Sequence, residues 1–217
     1  MAVIGSRNDY GTFAIQLETG HHMRITGGPS RGRKITGPGG RENRDLRPPL
    51  VRMRKSLFSQ IQNDLPGSRV LDLFAGTGTF GLEALSQGAR EVLFVEKDPR
   101  TAQILERNIR DLGFRHQSRV VVADALSTVS GHHLPKTGAF EIVFIDPPFR
   151  FFESAEGTGE FRQKFVALMR SNFLDEQALV ILRVPRRALE TLELSPNKSK
   201  VYGRSVVAFF SKDEWEQ

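Results

Sequence analysis

Residues 69–97 read RVLDLFAGTGTFGLEALSQGAREVLFVEK. Val70, Leu71, Leu73 and Phe74 form a nearly continuous apolar run, the pattern of a strand buried on both faces of a parallel sheet. Gly76, Gly78 and Gly81 follow as G-x-G-x-x-G, where absent side chains let the backbone turn tightly and approach a ligand. The spacing predicts a helix over 79–87, closed by Gly88 as a C′ residue. A second strand, 91–95, then ends in Glu96, 15 residues after Gly81, close to where an acid can accept hydrogen bonds from a ribose diol. Strand, glycine turn, helix, strand and acid make a nucleoside-binding βαβ unit.

The chain leading into this unit is unlike it in charge. Between Met23 and Lys55 stand ten Lys or Arg against two acids, a net of +8, while the whole chain carries +6. The positive excess thus lies in one block, the electrostatic footprint of a polyanionic partner. MRITGG and RKITGP around Pro29-Ser30 suggest a small basic hairpin, and 37–44 a mobile glycine- and arginine-rich segment. Pro48 and Pro49 can open a helix. Leu50, Met53, Leu57 and Ile61, with Phe58 beside them, give it one apolar face. Arg52, Arg54 and Lys55 fall largely off that face, which leaves them free for a phosphate backbone. Residues 1–22 show no periodicity and are expected to be a disordered extension. The division is therefore 1–22, a docking hairpin and helix over 23–66, and a catalytic domain over 67–217.

Downstream, Asp98 and Pro99 cap and open a helix to about Leu112, ended by Gly113. A third strand over 119–123 ends at Asp124, and 126–138 read as a short helix or loop. A fourth, FEIVFI at 140–145, runs into Asp146-Pro147-Pro148-Phe149. A loop holding Phe151, Phe152 and Gly157-Thr158-Gly159 leads to a helix over 160–171, then a fifth strand over 178–184. Two last strands, near 200–202 and 205–211, close the chain through Gly203. Alternating strands and helices with a closing hairpin predict a doubly wound, mostly parallel seven-stranded α/β sheet, with the basic hairpin and helix as an appendage.

Composition narrows the chemistry. There is no cysteine, which removes disulfides, thiolate metal sites and cysteine nucleophiles. The five histidines lack zinc-ligand spacing, so no metal is expected. No apolar run approaches the roughly 18 residues that span a bilayer, and no secretory leader is evident, so the expectation is a cytoplasmic protein without membrane attachment. Ligands of open parallel sheets bind beyond the carboxyl ends of the strands, where Glu96, Asp124 and Asp146 all fall. In Asp146-Pro-Pro-Phe149, two prolines stiffen the turn. A carboxylate and a rigid carbonyl can accept from an exocyclic amine while the ring stacks on its base, which is catalysis by positioning.

Together VLDLFAGTGTFGLEAL, VEKD, the Asp124 strand end and DPPF resemble class I S-adenosylmethionine-dependent methyltransferases acting on amino groups. The flanks MRITGGPSRGRKI (23–35), LRPPLVRMRKSLF (46–58) and YGRS (202–205) are similar to one family, the RsmD-type 16S rRNA guanine-N2 methyltransferases. The similarity covers nearly all of 23–211. It implies that Asp72 and the Gly76–Gly78 loop hold the methionine end of S-adenosylmethionine, Glu96 the ribose and Asp124 the adenine amine, with Phe74 and Ala125 in the same cofactor set. Asp146 and Pro147 hold the guanine N2 amine and Phe149 stacks on the base. Arg24, Arg31, Arg33, Lys34, Arg47, Arg52 and Arg54 meet small-subunit rRNA or an assembling 30S particle, and the protein is expected to be a monomer. The chain departs from the family pattern at Pro49–Val51, at Lys55, and at Arg183, where glutamate is usual. DPPF is shared with adenine-N6 methyltransferases, and a non-catalytic RNA-binding protein on the same fold is a further alternative. A nicotinamide dehydrogenase fits the glycine loop but leaves DPPF unexplained.

Overall fold

The computed structural model describes residues 23–38, 48–128 and 139–215. The expectations for 1–22, for Arg47 and for most of 37–44 lie outside the described residues. A two-stranded hairpin, β1 (Met23–Arg24) and β2 (Lys34–Ile35), precedes helix α1 (Pro48–Gln60). The main sheet follows as β3 (Arg69–Leu73), β4 (Glu91–Glu96), β5 (Ser118–Val122), β6 (Phe140–Ile145), β7 (Leu174–Pro185), β8 (Lys198–Tyr202) and β9 (Ser205–Ser211). Between them run α2 (Thr79–Ser86), α3 (Pro99–Leu112), α4 (Ala125–Thr128), α5 (Ala155–Met169) and α6 (Arg186–Thr191). The seven strands lie in the order β5-β4-β3-β6-β7-β9-β8, with β9 antiparallel to both its neighbours. The chain winds outward from β3 through β4 to β5, then returns to β6 on β3's other side. That reversal between β3 and β6 opens a crevice at their carboxyl ends.

The central strands feed both faces. Leu71, Leu73, Leu93 and Val95 pack with Phe161, Phe165 and Leu168 of α5. Val70, Val92 and Phe94 pack on the other face with Met53, Leu57 and Phe58 of α1 and Leu105 of α3. Ile25 and Ile35 of the hairpin join this second layer, 2% and 0% exposed, so the basic block shares the core of the sheet. Helix α2 lies between sheet and hairpin, and Gly81 through Ser86 are all buried. A helix covered all round must satisfy its polar side chains internally. Glu83 does so by accepting from the Thr26 and Gly27 N–H groups (2.8 and 2.7 Å), from Thr26 Oγ1 and from Gln87. Gly28 is at φ +70° against this helix, and a Cβ there would stand 1.5 Å from the Ser86 carbonyl oxygen.

Three readings need correction. Arg54 is not free for RNA: it is 4% exposed, its Nε lies 3.4 Å from Glu83, and its guanidinium donates to the Arg24 carbonyl. A helix advances about 100° per residue, so Arg54 sits only about 40° from Phe58 four residues on. The buried face of α1 is wider than the line through Leu50, Met53, Leu57 and Ile61 and takes in Phe58 and Arg54. Helix α5 begins at Ala155 and absorbs Gly157-Thr158-Gly159, because Ser154 caps it: Ser154 Oγ accepts from the Gly157 N–H at 3.1 Å. The fifth strand is longer than its apolar run, reaching Leu174–Pro185, because β6 pairs with it at Phe140↔Leu174 and β9 at Pro185↔Ser205.

Candidate active site

The crevice at the carboxyl ends of β3, β4 and β6 is a cleft of about 750 Å³. Phe74, Gly76, Glu96, Asp124, Asp146 and Phe149 line it, with Ala125 and Pro147. Eight of the positions expected from sequence therefore meet in one place. Asp72 and Gly78 do not reach its surface. Asp72 lies beneath the glycine turn, 1% exposed, and its Oδ2 accepts from the Gly81 N–H at 2.9 Å. It acts on the loop by anchoring the N-terminus of α2 through that hydrogen bond. Burial pushes its carboxyl up to about 7; the Gly81 bond opposes this, and the nearby Asp146 and Glu96 charges add to it. Gly78 is buried under the loop, where a Cβ would stand 2.4 Å from Leu105 Cδ1.

At the surface, the backbone turn is held by the acid that ends β4. Glu96 accepts from the Gly76 N–H with one oxygen and from the Asp98 N–H with the other, both at 2.8 Å. Two such bonds fix the carboxylate and leave its remaining lone pairs toward the cleft. Phe74 occupies the left-handed region at φ 62°, a conformation that costs a bulky residue on the order of 1–3 kcal/mol and clusters at functional sites. Its ring meets Phe151 edge-on at 5.9 Å. Asp124 caps α4, accepting from the Leu126 N–H at 2.9 Å, while its other oxygen pairs with Lys97 at 2.6 Å. Those bonds hold its carboxyl below the usual range against a partial desolvation.

Asp146 is tied to Arg183, the residue singled out as departing from the family pattern. Nη1 of Arg183 donates to both Asp146 oxygens, at 2.8 and 3.0 Å. The guanidinium carbon stands 5.0 Å from the Phe149 ring centre, within cation–π range. Burial raises the Asp146 carboxyl, and the Arg183 charge and hydrogen bond pull against it. Sequence reasoning noted Arg183 but did not place it in the site; β6–β7 pairing, with Ile145 opposite Leu182, brings it there. Lys97, Arg150 and Phe151 also line the cleft and carry no sequence signal of their own.

The basic block is divided in its commitments. Arg31, Lys34 and Arg52 are exposed. Arg24 is exposed but donates to the Gly32 carbonyl at 2.7 Å. Arg33 donates to the Leu112 carbonyl at 2.9 Å and also to that of Asp111, at the C-terminal end of α3 where a cation is favoured. Among the described residues no cluster of three potential metal ligands occurs, and no helix is long and apolar enough to cross a membrane.

An open sheet with this strand order, a glycine turn after its first strand and acids at successive strand ends defines a Rossmann-like class I methyltransferase fold. The family model described as Conserved hypothetical protein 95 matches residues 23–211. Ribosomal RNA small subunit methyltransferase D of Haemophilus influenzae is 32% identical over 165 residues, covering 76% of this chain and 79% of that protein. Its counterpart in Escherichia coli K12 is 38% identical over 128 residues, covering 59% of this chain and 61% of that one. The solved structure of Escherichia coli yhhF is 29% identical with a TM-score of 0.68, covering 88% of this chain and 97% of that chain. The chain belongs to the Conserved hypothetical protein 95 family, the RsmD-type class I methyltransferases.

Proposed function

We propose that this protein transfers the methyl group of S-adenosylmethionine to the exocyclic N2 amine of a guanine in small-subunit rRNA. One observation carries the reading: the rigid Asp146-Pro147-Pro148-Phe149 turn opens into the same cleft as Glu96, Asp124 and the Gly76 turn. The donor set fits the cofactor. A Cβ at Gly76 would meet nothing within 4 Å, so the turn leaves room at the cleft floor. Glu96 has lone pairs free for two ribose hydroxyls, and Asp124 with buried Ala125 borders the place for adenine. The surrounding carboxylates suit a cationic sulfonium better than a pyrophosphate.

The cofactor supplies an electrophilic methyl group, which needs neither metal nor covalent intermediate. The work of this chain is orientation. The guanine N2 lone pair is delocalised into the ring, so Asp146 and the Pro147 carbonyl localise it by accepting its two N–H bonds, while Phe149 stacks on the base. Asp72 and Gly78 support the turn from below. Arg31, Lys34 and Arg52 of the 23–66 segment, with Arg24, Arg33 and Arg47, provide charge for rRNA or an assembling 30S particle. The protein would act as a cytoplasmic monomer.

The test is methyl transfer from labelled S-adenosylmethionine to unmodified small-subunit rRNA, naked and protein-loaded, followed by nucleoside analysis. N2-methylguanosine is the expected product. N6-methyladenosine would move the chemistry to the adenine class, and no product with retained RNA binding would refute catalysis.

A further inference from the structure

The candidate active site does not end at Phe149. A second cleft, of about 840 Å³, continues from it and shares Phe149 and Arg183 as the dividing wall. Its far side carries Arg186, Arg187 and Arg204, with Tyr202 and Leu50 beside them, and among the described residues no acid lines it. Backbone pairing builds the cluster: Pro185 lies opposite Ser205, and the Arg186 N–H donates to the Arg204 carbonyl at 2.9 Å. Tyr202 is set by its hydroxyl, which bonds Ser56 of α1 at 2.8 Å. The three arginines are exposed, and among the described residues none of their side chains is hydrogen-bonded or ion-paired. This cluster lies outside the 23–55 block that sequence charge pointed to.

Arg183 links the two clefts, and its present position is informative. The guanidinium donates to Asp146 and lies over Phe149, the two contacts proposed above for the target base. A guanidinium and the N1–N2 edge of guanine present similar planar N–H donors, so one excludes the other. Arg183 Nε is meanwhile buried without a hydrogen-bond partner among the described residues, so the resting arrangement leaves part of its donor set unused. A displaced Arg183 would lose its carboxylate. Its cost falls if another anion is at hand, and a phosphodiester is the anion an arginine-lined cleft recognises best.

We propose that the Arg186–Arg187–Arg204 cleft binds the phosphodiester backbone beside the target nucleotide, and that Arg183 passes from Asp146 to that backbone as the base enters. The hand-over rests on the proposed base-binding role of Asp146; the binding of a polynucleotide in the cleft does not. Arg183 is in this view a positioning residue, holding the acceptor site closed until an RNA strand is in place.

The experiment is fluorescence-anisotropy titration of a single-stranded guanine-containing oligoribonucleotide against salt, without cofactor or turnover. R186Q/R204Q should bind roughly tenfold more weakly near physiological salt, with the log–log salt slope shallower by about 1.4 for two lost phosphate contacts. Its cofactor affinity should equal that of the parent. R183Q should flatten the slope by about a further 0.7, and R183K should restore it. Replacing the phosphate next to the guanine with a methylphosphonate should weaken the parent, weaken R186Q/R204Q less, and leave the triple variant R183Q/R186Q/R204Q unchanged. Unaltered affinity and slope in R186Q/R204Q would overturn the cleft, as would preference for an acidic peptide over the oligonucleotide. An unaltered slope in R183Q would overturn the hand-over. N2-methylguanosine formation with an unaltered R186Q/R204Q slope would sink the cleft alone; cleft-dependent binding with methylation of another base would sink the guanine reading alone.

Discussion

Two arginine–carboxylate pairs, Arg54–Glu83 and Arg183–Asp146, are built from the same chemistry and stand in opposite situations. Glu83 is 0% exposed and both its oxygens are fully engaged, by Thr26, Gly27, Gln87 and Arg54. It fastens the hairpin to α2 and leaves nothing for a ligand. Among the described residues Asp146 is bonded by Arg183 alone, and that pair faces a cleft with side chains 25% and 19% exposed. A buried charge satisfied on every side is structural, since removing its partners is costly. One satisfied by a single exchangeable donor at the mouth of a cleft can trade that donor for substrate. The difference lies in the count of partners and in what stands in front of the carboxylate.

The sharpest way to break this contrast is to truncate each acid. Glu83→Ala leaves Arg54 buried and uncompensated, and should cost about 3–5 kcal/mol of stability, read from urea unfolding. Methyl transfer per folded molecule should hold. Asp146→Ala should do the reverse: transfer falls about 10²-fold or more, while unfolding midpoint and cofactor affinity stay near the parent values. Comparable destabilisation in the two variants would erase the distinction, and lost cofactor binding in Asp146→Ala would remove Asp146 from the amine-holding role.

A smaller effect sharpens the comparison through a third acid. Asp72 is as buried as Glu83 but among the described residues has no cationic partner, and its carboxyl is raised to about 7 from the ordinary 3.8. The folded chain therefore keeps a proton that the unfolded chain gives up. Its contribution is full below about pH 4 and is lost as pH rises toward 7. In Asp72→Asn, where the amide oxygen can still accept from Gly81, stability should depend less on pH across that window. Urea unfolding of both proteins at pH 5 and pH 7.5 checks this, and parallel losses would show that another group governs the slope.

Glu96, Asp124 and Asp146 were legible in the sequence because each ends a strand, and strand ends of a parallel sheet converge. Phe74, Gly76, Ala125, Pro147 and Phe149 came with them, being neighbours in the chain. Asp72 was legible as important but not in its position, since alternation along β3 turns it under the glycine loop. Arg54 was misplaced for a related reason. A helix buried on a wide face admits a charged residue only opposite a counter-charge, and Glu83 is 29 residues further along the chain.

Local order was thus decided by the sequence itself: the βαβ unit, the capping of α3 by Asp98, the stiff proline turn and the concentration of positive charge. Each depends on residues within a few positions of one another, where backbone preference and side-chain period act directly. Tertiary structure alone decided which arginines are spent on the protein and which face outward. It also set Arg183 against Asp146 through the β6–β7 pairing, and gathered Arg186 and Arg204 at one cleft through the β7–β9 pairing. Those contacts join positions 18 to 37 residues apart, and only hydrogen-bonded register, which no local pattern encodes, brings them together.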